Sequence, residues 1–241
     1  MAGSQARIEI RQLFKLEEFE DVLRLQKEIW SFADVELLPL RFLVVVSKVG
    51  GHVFGAYDGP RMIGFCFAIP GIKPDGQPYL HSHMLGVLPE YRNAAIGRRL
   101  KFRQRDDALA RGIQLIEWTF DPLELKNAFL NIEKLGAIVR RYNENQYGTT
   151  SSPLHGGLPT DRCIAEWWIR RADSRSAAPP DAERISYPAG IAAIREQDPA
   201  QARAIQLSNA RKFLDAFSRG LAVTHFEPSE TEGTYILEPW K

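Results

Sequence analysis

Residues 86–105 read GVLPEYRNAAIGRRLKFRQR, and this stretch decides the fold. It predicts a short apolar strand, a turn marked by Pro89, a turn of small residues, and a helix that opens on basic side chains. Six Arg or Lys residues and no acid occur within residues 92–105. Because the first amides of a helix lack partners and carry partial positive charge, this arrangement indicates an anion site.

The small residues of the turn would let a phosphate approach the backbone closely. Four basic side chains could add charge-assisted hydrogen bonds to phosphate oxygens: Arg92, Arg98, Arg99 and Lys101. A pyrophosphate ligand therefore fits, although a solvated basic helix after a tight turn fits charge and spacing equally well. The glycines of a dinucleotide-binding fingerprint and the Lys-Ser/Thr of a P-loop are absent.

Composition limits the remaining classes of function. The 241 residues are 44% apolar and 25% charged, with a net charge of +1, which argues against general binding to nucleic acid or membranes. The two cysteines suggest neither a disulfide framework nor a metal-ligand spacing. The N-terminus lacks the apolar core of a signal peptide, and the longest apolar run, FLVVV, is too short to span a bilayer. We expect a cytoplasmic protein without a metal site.

Periodicity predicts a first strand, two helices, a hairpin turning at Asp58-Gly59-Pro60, a long strand, a helix, a strand, a helix and a late strand. Composition predicts a linker at residues 172–188. Beyond it, residues 189–241 predict a helix, with Pro199 at its start and Gly220 at its end, and then two strands around a polar turn. We expect this appendage to pack on the main domain, residues 1–171, where it would cover the sheet edge, cover the substrate side or form a homodimer contact.

Residues 87–100 resemble the acyl-CoA-binding signature of the GCN5-related N-acetyltransferase (GNAT) superfamily. The family pattern Arg/Gln-x-x-Gly-x-Gly/Ala stands here as RNAAIG, with Ala95 where glycine is usual. Since alanine needs a conventional φ, that departure is mild only if Ala95 is already helical. The resemblance covers about residues 6–171 and implies an α/β (α+β) fold, in which helices flank a mixed, mostly antiparallel GNAT-type sheet.

A narrower resemblance rests on LHSHMLGVLPEYR, EWTFDPLELKNAFLNIEKLGA and YNENQYG. These segments look like a bacterial subgroup usually labelled predicted acetyltransferase, some of whose members resemble amino-acid N-succinyltransferases. The resemblance implies acetyl-CoA or succinyl-CoA as donor and a small amino-acid-like amine as acceptor. An acyl-CoA-binding module with little catalysis is the alternative, because the tyrosine that many GNAT enzymes carry four residues before Gly136 is Ile132 here.

The resemblance also implies roles for matched residues. The backbone of the strand end would line the pantetheine arm, the amides of residues 93–98 would hold the pyrophosphate, and Asn127 would lie near pantetheine, unless it is only a polar residue in the first turn of its helix. The implied cofactor-binding residues are Leu85, Gly86, Val87, Arg92, Asn93, Ala94, Ala95, Ile96, Gly97, Arg98 and Asn127.

The catalytic candidates are His81, His83 and Tyr142. Period two places the two histidines on one face of their strand and Ser82 and Met84 on the other. Histidine titrates near neutrality, so either imidazole could take the proton of the amine, although a hydrogen-bonded core histidine is the alternative. Tyr142, like Tyr147, is a candidate acid for the thiolate by proximity in sequence alone.

Three further residues are candidates for substrate binding. Ser82 could bond substrate or pantetheine, and Asp121 ends a strand at an edge where such folds bind ligands. The sequence favours the alternative for Asp121, a turn residue before Pro122. Arg162 could bind a carboxylate in bidentate fashion, or form a surface pair with Asp161.

Overall fold

The computed structural model describes residues 8–148, 156–170 and 177–240. It contains six α-helices and ten strands among those residues, together with 3-10 turns at Asp34–Glu36 and Pro89–Tyr91 and a π-helix at Leu130–Lys134. The helices are α1 Leu16–Trp30, α2 Leu40–Lys48, α3 Ile96–Ala110, α4 Leu125–Phe129, α5 Ile191–Gln197 and α6 Pro199–Ser218. The strands are β1 Glu9–Gln12, β2 His52–Asp58, β3 Arg61–Ile72, β4 Pro78–Val87, β5 Leu115–Phe120, β6 Ile138–Asn143, β7 Arg162–Trp168, β8 Glu183–Pro188, β9 Leu221–Pro228 and β10 Glu232–Pro239.

The chain forms two compact units, Met1–Ile116 and Glu117–Lys241, and the boundary falls inside β5. In the first unit the strands follow the order β1-β2-β3-β4, and every neighbouring pair is antiparallel. Helix α1 covers one face of these strands: a Cβ atom on Gly86 of β4 would lie 2.8 Å from Ile29 and Trp30. Helix α3 covers the opposite face, where Cys66 of β3 directs its thiol to the Leu100 carbonyl oxygen.

The strands of the second unit follow the order β5-β7-β6-β9-β10-β8. Pairing is antiparallel between β6 and β7, β6 and β9, β9 and β10, and β10 and β8. Residues 221–239 form the predicted hairpin, and its first strand meets β6 where Val139 pairs with Val223. The mixed α/β fold with a mostly antiparallel sheet flanked by helices is confirmed.

Two strands and one helix were absent from the sequence-based prediction. β6 was missed because a bulge between Val139 and Arg141 breaks its alternation and leaves both arginines exposed. β8 lies at the end of the segment that composition predicted as a linker, where Ile185 pairs with Tyr235. Its pairing partner is about fifty residues away in sequence, and local composition carries no trace of such a partner. Helix α5 follows directly.

No helix in the described part of the chain combines the length and the apolar character needed to cross a membrane.

Candidate functional site

The turn into α3 contains two residues in the left-handed region. Asn93 has φ 67° and Ala95 has φ 57°. Ala95 is the N-cap of α3, with ψ 15°. Ala95 is therefore not in a right-handed helical conformation, which was the condition for alanine to replace the usual glycine at little cost. Its backbone conformation favours glycine, because the Cβ of alanine crowds the neighbouring carbonyl oxygen there.

The N-terminus of α3 has no side-chain cap. The amide of Arg99 makes the first bond of the helix, 3.0 Å from the Ala95 carbonyl oxygen. The amides of Ile96, Gly97 and Arg98 precede that bond and point out of the helix start. A Cβ on Gly97 would meet only the side chain of Leu85, at 3.3 Å, so the fold leaves its amide open to close approach.

The basic side chains of this stretch divide into two groups. Arg92 and Arg98 are exposed beside the helix start; the Arg92 Nε atom lies 3.5 Å from the Val87 carbonyl oxygen, and the Arg98 guanidinium lies 5.1 Å from the Phe102 ring centre. Arg99 is exposed as well and donates to the Ile8 carbonyl oxygen. Lys101 is buried, so the expectation that it reaches a phosphate is wrong.

Strand β4 contains a bulge at His83. Phe67 pairs with Met84 and Ala68 pairs with Ser82, which leaves His83 as the additional residue. Since paired residues share a face and Phe67 and Ala68 are consecutive, Met84 and Ser82 lie on opposite faces. The expectation that they share a face is wrong because a bulge breaks the period of two.

The two histidine side chains are neighbours, as predicted. Their ring centres are 5.9 Å apart, and the His83 ring lies 5.4 Å from that of Phe67. Loss of hydration lowers the pKa of both imidazoles; for His81, the positive charges of His83, Lys101 and Lys73 lower it further, to about 4. His81 is therefore neutral at pH 7 and a weak base, whereas His83 is exposed and experiences loss of hydration alone.

Ser82 belongs to a buried polar cluster between β4 and α3. Its hydroxyl accepts a hydrogen bond from Lys101 Nζ at 2.8 Å and donates to Gln104 Oε1 at 2.9 Å. Burial lowers the pKa of Lys101 to about 7. The Ser82 hydroxyl is thus occupied on the α3 face, which favours a structural role over substrate binding.

Two candidates lie at the start of α4 in the second unit. Asp121 uses both carboxylate oxygens: Oδ1 accepts from the Leu123 amide at 2.8 Å, and Oδ2 lies 3.5 Å from Arg195. This arrangement favours its role as a turn residue. The Asn127 side chain is exposed, while its amide donates to the Glu124 carbonyl oxygen at 2.9 Å.

Tyr142 is buried, and its hydroxyl donates to Asp161 Oδ2 at 2.8 Å. Its ring stacks on Phe213 at 5.4 Å. Burial raises the pKa of Tyr142 far above its usual value. A phenol that is buried and already bonded to a carboxylate favours a structural role over that of the acid.

Arg162 is buried and donates to the Asp161 carbonyl oxygen at 2.9 Å. Its guanidinium lies 5.4 Å from the centre of the exposed Tyr147 ring, whose hydroxyl is 3.1 Å from Thr119 Oγ1. The sequence left open a surface pair between Asp161 and Arg162, but both residues are buried. Within residues 8–148, 156–170 and 177–240, no group of three or more His, Cys, Asp or Glu side chains is placed to bind a metal.

The Acetyltransferase (GNAT) family matches residues 9–136, just over half of the chain. The chain belongs to this family. Membership supports acyl-CoA-dependent N-acetyl transfer as the general activity and acyl-CoA as the co-substrate. No curated protein matches the chain in sequence.

Several solved GNAT structures share the fold. A GNAT-family acetyltransferase from Desulfovibrio desulfuricans is 16% identical, with a TM-score of 0.53 over 67% of this chain and 99% of that one. The ribosomal-protein-S18-alanine N-acetyltransferase of Escherichia coli is 18% identical, with a TM-score of 0.53 over 70% of this chain and 98% of that one. Arabidopsis thaliana Naa50, in complex with the bisubstrate analogue CoA-Ac-MVNAL, is 15% identical, with a TM-score of 0.51 over 66% and 97% of the two chains.

This GNAT chain has an apolar residue where a catalytic tyrosine is usual in the family. Ile132 is fully buried within the π-helix, so its side chain belongs to the core. Sequence reasoning overlooked two polar residues, Thr119 and Arg195, because their partners are distant in sequence. Only the alternation that puts Thr119 opposite the buried Trp118 could have drawn attention to it.

We predict that Ala95→Gly stabilises the protein. The substitution removes the left-handed strain of alanine, about 1–2 kcal/mol, and costs about 0.4–1 kcal/mol in unfolded-state entropy. The free energy of unfolding, measured by urea denaturation, should therefore rise by up to about 1.6 kcal/mol. Ala94→Gly is the matched control, since Ala94 is not among the positive-φ residues, and it should destabilise. Equal destabilisation by both substitutions would contradict the assigned backbone conformation.

We predict that stability depends on the titration of Lys101. Its pKa falls from 10.5 in the unfolded chain to about 7 in the folded protein, so only the unfolded state binds the proton between these values. The free energy of unfolding should then rise with pH above 7, by up to about 1.4 kcal/mol per unit from this residue. Urea denaturation between pH 6 and 9 measures the slope.

Lys101→Met should remove this contribution to the slope, while Lys48→Met, at an exposed position of α2, should leave it unchanged. A slope in Lys101→Met equal to that of the wild type would show that Lys101 stays charged throughout.

Proposed function

We propose that this GNAT protein transfers an acetyl or succinyl group from coenzyme A to the amine of a small, amino-acid-like substrate. The observation that carries the proposal is the uncapped start of α3, where three outward amides follow a left-handed turn beside Arg92 and Arg98. Amides and helix dipole together favour a pyrophosphate at this position. The remaining contacts proposed for the coenzyme are those that the family resemblance assigns to residues 85–87 and Asn127.

The bulge in β4 supports a role for this strand in the reaction. The bulge leaves His83 without a partner residue in the regular ladder with β3. We assign the thioester carbonyl oxygen to this region, where a backbone N–H would stabilise the developing oxyanion. Positioning of the two substrates contributes the largest part of the acceleration, roughly 7–11 kcal/mol, compared with roughly 3–5 kcal/mol from a general base.

His83 is the better base of the two histidines. It is exposed, and its pKa is lowered by loss of hydration alone, whereas the charges of Lys101 and Lys73 also act on His81. In the proposed step the neutral amine attacks the thioester carbon, the carbon–sulfur bond breaks, and the amine proton passes to the His83 imidazole. An α-amino group with a pKa near 8 is roughly one tenth neutral at pH 7, so it requires less from the base than a lysine side chain does.

The substrate class is supported by Arg162. A buried guanidinium against an aromatic ring is suited to bidentate binding of a carboxylate, which amino acids and succinyl groups both carry. Tyr147 is the better acid for the departing thiolate, because the residue is exposed and its hydroxyl lies next to another hydroxyl, whereas Tyr142 donates to a buried carboxylate.

Thiol release tests the activity. Purified protein is mixed with acetyl-CoA or succinyl-CoA and a pool of amino acids, and free coenzyme A is followed with a thiol reagent. We expect thiol release that depends on the amine, and loss of coenzyme A binding in Gly97→Glu, since the added carboxylate blocks the close approach and repels phosphate. Gly190→Glu is the control, because that glycine has open space around it and lies outside the turn.

Coenzyme A binding without thiol release for any donor and amine would favour the alternative, an acyl-CoA-binding module. Normal binding by Gly97→Glu would show that the pyrophosphate site is misplaced.

His83→Gln tests the base. We expect kcat to fall by about 10²-fold or more while the KM for acyl-CoA stays constant, since a base acts on the chemical step alone. The loss should shrink as pH approaches the pKa of the amine, where more of the substrate is already neutral. His81→Gln is the matched control with a smaller effect, and steady-state kinetics from pH 6 to 9 measure both. A larger loss in His81→Gln would reverse the assignment.

A further inference from the structure

Helix α4, which carries Asn127, is too short to hold itself in place. It has five residues, its N-cap Glu124 makes no side-chain capping bond, and a π-helix follows it directly. Isolated helices shorter than about 12 residues are marginal in water, so tertiary contacts must order this one. The amides of Asn127 and Ala128 both donate to the Glu124 carbonyl oxygen, at 2.9 and 3.0 Å, and Glu124 therefore sets where the helix begins.

Arg195 of α5 binds the residues at that start. Its Nη2 atom donates to Glu124 Oε1 at 2.8 Å, and its Nη1 atom lies 3.5 Å from Asp121 Oδ2. The guanidinium is buried, with 9% of its side chain exposed, so water screens the pair with Asp121 only weakly. Arg195 is thus a bridge between the two acidic residues that flank Pro122 and Leu123.

The stem of Arg195 is covered by Gly156. A Cβ atom on Gly156 would lie 2.9 Å from Arg195 Cγ. The neighbouring Gly157 has open space around it, although both glycines have positive φ, 53° and 74°. The missing side chain at Gly156 therefore makes room for the Arg195 stem, whereas a Cβ atom at Gly157 would meet no other atom.

Two more contacts connect the C-terminal strands to the same segment. The Tyr235 hydroxyl donates to the Pro122 carbonyl oxygen at 2.7 Å, and the Phe226 amide donates to Glu133 Oε1 at 2.7 Å. The three residues that make these contacts, Arg195, Phe226 and Tyr235, all lie beyond residue 136, where the family match ends.

We propose that Arg195 is a positioning residue of the acyl-CoA site: by bridging Asp121 and Glu124 it fixes the first turn of α4 and so the place of Asn127. The inference rests on the proposed function, in which Asn127 contacts pantetheine. A lysine would reach one carboxylate only, because the bridge uses two separate nitrogens of a planar fork. A cation near a helix N-terminus is otherwise unfavourable, and here the two carboxylates offset that cost.

Arg195→Met and Arg219→Met form a matched pair. Arg219 also bridges two carboxylates, those of Asp215 and Glu183, but these lie away from α4. We expect Arg195→Met to raise the dissociation constant for coenzyme A by about tenfold, as misplacement of a ligand-binding group does, and Arg219→Met to leave it unchanged. Calorimetry on the full chain measures both, and hydrogen exchange should accelerate at the amides of Asn127 and Ala128 in Arg195→Met alone.

A cycle with Asn127→Ala separates positioning from general stability. If Arg195 acts through Asn127, Arg195→Met should add no further loss of coenzyme A affinity in the Asn127→Ala protein, and Arg195→Lys should restore part of the loss in the wild-type background. Additive losses would overturn the inference.

A second pair perturbs Arg195 without changing its charge. Gly156→Ala and Gly157→Ala carry similar backbone strain, but only the first presses on the Arg195 stem. Gly156→Ala should weaken coenzyme A binding and Gly157→Ala should not. If Arg195→Met does not fold, this pair decides whether Arg195 positions Asn127. If the wild type binds coenzyme A and both Arg195→Met and Gly156→Ala bind it with the same affinity, the inference about Arg195 is overturned while the proposed function stands. A wild-type chain that neither binds coenzyme A nor releases thiol would instead remove the proposed function.

Discussion

The first unit depends on the left-handed turn at Ala95. By turning the chain there, the protein starts α3 without a side-chain cap and leaves its first amides directed outward. A capping serine or aspartate would stabilise the helix by about 1 kcal/mol, but it would occupy the amides that an anion needs. The turn therefore sacrifices local stability, through an uncapped helix and a strained alanine, and this is typical of a binding site.

A buried polar cluster lies between β4 and α3, beside apolar residues such as Leu80 and Cys66. Lys101, Ser82 and Gln104 form a hydrogen-bonded row, and His52 of β2 is bound to Asp107 on the same helix. The Nε2 atoms of His52 and Gln104 find no hydrogen-bond partner among the described protein atoms, which costs stability. Such a row fixes β4 against α3 at Ser82, next to the bulge, with directional bonds that apolar packing does not supply.

The second unit continues well past the end of the family match. Strand β9 pairs with β6, and contacts from α5, β9 and β10 reach the segment between β5 and the π-helix. The C-terminal residues are therefore part of the unit that contains Asn127, Tyr147 and Arg162. Their contribution is mainly to hold short elements that local propensity alone would leave disordered.

The sequence by itself determined the elements whose signal is local. The hairpin at Asp58-Gly59-Pro60, the helix after the turn of small residues, and the C-terminal helix starting at Pro199 all follow from turn residues and periodicity. Tertiary structure decided everything that depends on partners distant in the chain. It turned Lys101 inward, separated Ser82 from Met84 by a bulge, buried Tyr142 against Asp161, and gave β8 a partner fifty residues away. The physical reason is the same in each case: a side chain's charge state and direction follow from what surrounds it, and the neighbours along the chain are only part of those surroundings.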